Sequence, residues 1–69
     1  MKIVFLYGDE RYEFDGDQIG FLPLVGETVE IPGFPTGEQR TLKVLSLHHL
    51  IDENALVTTQ VIHLTCGLA

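Results

Sequence analysis

Tryptophan is absent, cysteine occurs once at Cys66, and lysine and arginine together number four. A single cysteine excludes an internal disulfide. A permanent intermolecular bridge would need an oxidising compartment, which no secretory leader indicates: the apolar start MKIVFLY is too short and is cut off by Gly8-Asp9-Glu10. No apolar run approaches the roughly 20 residues of a membrane-spanning helix. The expectation is a cytoplasmic protein with no membrane partner. The scarcity of basic residues against ten acidic ones leaves a net charge of −6, which argues against direct nucleic-acid binding, since phosphate neutralisation needs a Lys/Arg footprint. It is compatible with basic protein partners, and equally with charge that serves only solubility.

At 69 residues the chain has room for one domain, 1–69. A domain so small buries only about 60% of its unfolded surface and commonly relies on a disulfide, a metal or association. Apolar content is nevertheless 45%. That surplus either fills a single small core or favours self-association or a permanent partner.

What is present reads as β-structure. Val, Ile, Leu and Thr dominate two runs, about 41–51 and 56–65, that flank Asp52-Glu53-Asn54-Ala55. This is the pattern of a long antiparallel hairpin. Upstream, Lys2–Tyr7 is apolar on both parities and reads as a strand covered on both faces. Arg11–Asp15 alternates Tyr12 and Phe14 with Arg11, Glu13 and Asp15, a half-exposed strand antiparallel to the first. Phe21–Val25 carries Pro23, which cannot donate to a ladder, and so reads as an edge or a covering loop. Thr28–Ile31 alternates Val29 and Ile31 inward and is stopped by Pro32-Gly33. No segment has capped helical periodicity. The fold class is all-β, a small barrel or roll of four to five antiparallel strands.

Pro23-Leu24-Val25-Gly26-Glu27-Thr28-Val29-Glu30-Ile31-Pro32-Gly33, followed by Leu42-Lys43-Val44 and a histidine, resembles the pattern P-x-x-G-[DE]-x-V-x-I-x-G, then V-x-x-V-x-H, of small SH3-like barrels among bacterial and phage accessory proteins. The resemblance spans roughly residues 23–65. It implies a diverging turn at Gly26-Glu27, a short strand and a long bent hairpin, and no particular activity. The tryptophan-containing PxxP groove of eukaryotic SH3 domains is not carried over, because this chain has no tryptophan.

Candidate sites arise from the residue types. His48, His49, His63 and Cys66 suit zinc chemically. If Ile51 pairs with Leu56, however, His48 lies opposite Thr59, His49 opposite Thr58 and His63 opposite Val44. His63 then stands about 13 Å along the sheet from His48, too far to share an ion. No metal or cofactor is expected on this register. Cys66 and His63, three apart on a strand, face opposite sides and do not form a nucleophile–base pair; a half-buried structural thiol is the plainer reading. Asp9, Glu10, Glu13, Asp15 and Asp17 form the densest acidic patch. They lack the spacing of a calcium loop and read as a solvated face or a docking patch for a basic partner. Phe21, Leu22, Leu24, Val25 and Phe34 form the expected protein interface, or else plug the open end of the barrel.

The functional expectation is a non-catalytic interaction module that self-associates or binds a basic, nucleic-acid-handling protein; a phage-encoded inhibitor is one version. A small-ligand or enzymatic site at an oligomer interface, built from His48, His49, Thr58 and Thr59, is the alternative, and a structural component of a larger assembly is a third.

Overall fold

A computed structural model describes residues 1–18, 20, 22–37, 40–52 and 59–69. Five strands form one sheet: β1 (Lys2–Tyr7), β2 (Glu10–Asp15), β3 (Thr28–Val29), β4 (Leu42–Asp52) and β5 (Thr59–Leu68), in spatial order β2-β1-β5-β4-β3. A single 3₁₀ turn at Gly16–Gln18 comes after β2, and no α-helix occurs among the described residues. The sheet curls into a half-barrel, so the all-β expectation holds. One pairing differs from it: β1 runs parallel to β5, from Lys2 opposite Val61 to Leu6 opposite Thr65. The hairpin β1–β2 and the hairpin β4–β5 therefore meet through their first and last strands.

The concave face carries the core. Ile3 and Phe5 on β1, Leu42 and Val44 on β4, and Ile62, Leu64 and Cys66 on β5 are buried together with Ile31 and Phe34. These positions alternate along their strands, as a pleat demands. Val4 is also fully buried although it points to the opposite face, between Glu13 and His63 in register. That explains why the first strand is apolar on both parities.

The segment between β2 and β3 is the covering loop expected from Pro23, which is buried while Leu22 packs against the core. Two tight turns shape the chain from Leu24 to Phe34. Glu27 donates its N–H to the Leu24 carbonyl at 3.0 Å, and Gly26 holds φ +94°. Phe34 donates likewise to Ile31 at 3.0 Å across Pro32-Gly33, with Gly33 at φ +77°. Both are turns whose third residue must adopt positive φ, and in the second Pro32 supplies the preset φ of the residue before it. The first turn is tied to β4: Gly26 N–H donates to Val44 O at 2.8 Å, and Val44 N–H to Glu27 O at 2.9 Å. Regular β3 is shorter than the expected Thr28–Ile31 because Pro32 leaves, after Val29, only the isolated Ile31–Phe34 bridge.

The long hairpin is present with a different register. His48 pairs with His63, His49 with Ile62 and Asp52 with Thr59, and a bulge shifts the ladder between Val44 and Ser46. The expected pairings of His48 with Thr59, His49 with Thr58 and His63 with Val44 are corrected. Asp52 pairs with Thr59 rather than with Ala55, so the ladder past the bulge slides by four residues relative to the expected register. The expected contacts at residues 53–58 lie outside the described residues.

Leu64 is fully buried in the central strand, whereas Leu68 near its end is 47% exposed. Leu64→Ala is expected to lower the unfolding free energy by about 2–5 kcal/mol, and Leu68→Ala by less than about 1 kcal/mol. Urea denaturation of the two variants checks the contrast.

Candidate functional site

The half-barrel does not close between its edge strands β2 and β3. The seam leaves a groove of about 310 Å³. Its floor and walls are Phe5 from β1, Phe14 from β2, Pro23 from the covering loop, and Val29 and Ile31; Thr28 and Glu30 stand on its rim. The aromatic side is held by ring packing. Phe14 meets Phe5 edge-on with centroids 5.8 Å apart, and Tyr12 lies 4.8 Å from Phe14 and 5.8 Å from Phe34. Edge-to-face and tilted pairs favour a defined wall over a collapsible one.

The rim is acidic. Glu30 accepts from the Thr41 hydroxyl at 2.8 Å, and Glu27 is exposed, accepting the Leu24 N–H at 2.6 Å. Asp15 and Asp17, both exposed, come after Phe14 along the chain. Among the described residues no lysine or arginine lines the groove. Lys2 and Arg11 point to the outer face, where both pair with Glu13, Lys2 at 3.4 Å. Lys2 foremost, with Arg11, holds the Glu13 carboxyl below its ordinary range.

The expected acidic patch is thus divided by the pleat of β2. Glu13 and Asp15 share the outer face with Arg11, while Glu10 lies on the other side and reaches the loop after Phe34. The Thr36 hydroxyl, and the Thr36 N–H at 2.8 Å from Oε1, hold the Glu10 carboxyl low. Asp9 stays exposed at the β1–β2 turn. The five residues do not form one patch.

The expected apolar interface is divided as well. Phe34 is 3% exposed and belongs to the core, so its reading as an exposed anchor is corrected: the turn at Pro32-Gly33 folds it inward. Leu22 is half-buried against that core, whereas Leu24 and Val25 are exposed at the tip of the diverging turn. Phe21 lies outside the described residues.

The alternative ligand site does not assemble as expected. His48 is opposite His63 on the outer face, and His49, on the concave-side parity, bonds through Nδ1 to Gln60 Nε2 at 2.8 Å. Thr58 and the Thr59 side chain lie outside the described residues. The 13 Å separation of His48 and His63 is likewise corrected, because the slid register makes them direct cross-strand neighbours. Among the described residues no group of three or more His, Cys, Asp or Glu gathers as a metal-ligand set. Cys66 faces the core, its Sγ 3.5 Å from the Leu64 carbonyl, on the side of β5 away from His63. Burial pushes its thiol pKa up.

Phe14, Val29 and Ile31 read as inward-facing from the sequence, though not as parts of a site. Their alternation shows burial; that they border a gap depends on which strands lie at the sheet edges. No family model, no curated protein and no solved structure matches this chain. No helix among the described residues is long and apolar enough to cross a membrane.

The Glu10–Thr36 contact sets a pH dependence. The folded carboxyl titrates below its ordinary value of 4.5, so its stabilising contribution is present above about pH 4.5 and is lost as pH falls through the folded value. Glu10→Gln is expected to lower the urea midpoint at pH 7, and the difference from wild type should vanish at the acid end of a pH series. Cys66 should react with an aromatic disulfide reagent far more slowly in the native protein than in urea, because the thiolate is both disfavoured and covered.

Proposed function

We propose that this chain is a non-catalytic protein-binding module whose groove between β2 and β3 receives an extended, basic and apolar segment of a partner protein. The supporting observation is the combination of an apolar floor with one carboxylate, Glu30, on the rim and no lining Lys or Arg among the described residues. A volume of about 310 Å³ is at the small end for a ligand pocket and matches one or two apolar side chains of a docking segment. Glu30 on the rim, with exposed Glu27 three residues before it, would accept a flanking Lys or Arg. Charge of this kind steers encounter and selects partners more than it deepens affinity. The resemblance to SH3-like accessory barrels of bacteria and phage fits a module of this size, and an inhibitor of a nucleic-acid-handling protein is the version that best suits its acidity. The small domain, its expected cytoplasmic location and the absence of a required cofactor belong to the same reading.

The test is nuclear magnetic resonance titration with synthetic extended peptides in which Lys or Arg flanks Leu, Val or Phe. Amide shifts are expected at Phe14, Val29, Glu30 and Ile31, and binding should weaken as salt is added. Val29→Lys should abolish those shifts while leaving the remaining spectrum native. Shifts confined to β4 and β5, or basic peptides that bind no better than acidic ones, would contradict the proposal.

A further inference from the structure

The edge of β4 is covered only at its start. β3 pairs with Leu42 and Lys43, and the Gly26-Glu27 turn engages Val44. Beyond that point no described segment pairs with the side of β4 that faces away from β5. Leu45–Asp52 is roughly 25 Å of strand at about 3.3 Å per residue, with outward N–H and C=O groups on alternate residues. The other sheet edge, β2, is guarded by Glu10, Arg11, Glu13 and Asp15. On β4 the usual guards, the bulge at Val44/Ser46 and Lys43, both sit at the end already covered. The bulged Leu45 is 55% exposed, and past it Leu50 is 41% and Ile51 60% exposed.

We propose that this edge pairs antiparallel with the same edge of a second copy of the chain, giving a two-fold dimer with one continuous sheet. Two features select a second copy over another occupant. The first is charge. Arg40–Ile51 contains no carboxylate in a chain whose net charge is −6, so two copies approach along Leu45–Ile51 with little repulsion, while a basic partner finds no carboxylate on that stretch to attract it. The second is self-complementarity. Residues directly opposite in an antiparallel pair share a face. Leu47, His49 and Ile51 lie on the concave-side parity of β4, and Ser46, His48 and Leu50 on the other. A two-fold axis at His49 sets half-buried Leu47 against exposed Ile51 of the second copy, twice over. The interface is separate from the groove between β2 and β3 and does not depend on what the groove binds.

Sedimentation equilibrium of the full chain, from micromolar to millimolar concentration, tests the proposal. The expected result is a reversible dimer of twice the 7.7 kDa chain mass, tightened by added salt because repulsion between the two acidic copies is screened. Ile51→Lys and Leu50→Lys, at exposed positions, should each return a monomer with an unchanged circular dichroism spectrum. Hydrogen exchange on the unaltered protein gives an independent readout: amides within Leu45–Asp52 should become more protected as concentration rises, while those of β2 should not. A monomer throughout the range, a dimer that survives both lysine variants, or β4 protection independent of concentration would overturn the assignment.

Discussion

Strand β5 is the constraint on which the structure depends. It lies at the centre of the sheet, parallel to β1 on one side and antiparallel to β4 along a ten-pair ladder on the other. Its concave-face residues Ile62, Leu64 and Cys66 are all buried. Without it the β1–β2 hairpin and the β4–β3 pair would be separate two-stranded ribbons, each marginal in water. The longest-range pairing among the described residues, that of β1 with β5, therefore unites the domain. Non-local closure of this kind is entropically slow to form, and the rewarding side chains are concentrated where it happens.

The same arrangement explains why the sheet stays open. With β5 at the centre, the remaining edges are β2 and β3, and β3 is cut to two residues by Pro32. Too little strand remains to hydrogen-bond across the seam, so the gap is filled partly by a loop, through Leu22 and Pro23, and partly left as the groove between Phe14 and Ile31. Glu30 stands on its rim without a lining cation because Lys2 and Arg11 occupy the outward parity of β1 and β2 and are engaged with Glu13 there. An apolar floor and an acidic border are thus consequences of strand alternation and of a short edge strand.

The elements were legible to different degrees. The strand at Lys2–Tyr7, the alternation of Tyr12 and Phe14, and the loop character around Pro23 could be read from local pattern, because pleat parity and the missing proline N–H act within a few residues. The hairpin was legible as a hairpin, yet its register was not. Asp52-Glu53-Asn54-Ala55 looks like a turn, and nothing local reveals that Asp52 pairs with Thr59. That slip changed the neighbours of every histidine, placing His48 beside His63. The parallel union of β1 with β5 and the seam depend on topology, which strand pattern alone does not encode. Phe34 was ambiguous between core and surface for the same reason: two flanking prolines and glycines indicate a turn, but not the side toward which it folds.

If the open seam binds a basic, apolar segment, that segment must cover the groove floor. Isothermal titration calorimetry at several temperatures, with a peptide selected for the shifts it causes at Phe14 and Val29, tests this most directly. Burial of apolar surface in the groove predicts one peptide per chain and a negative heat-capacity change, reduced when Ile31 or Val29 is replaced by a polar residue. A heat-capacity change near zero, with affinity set wholly by salt, would mean that the peptide only decorates the acidic surface and that the seam is not the site.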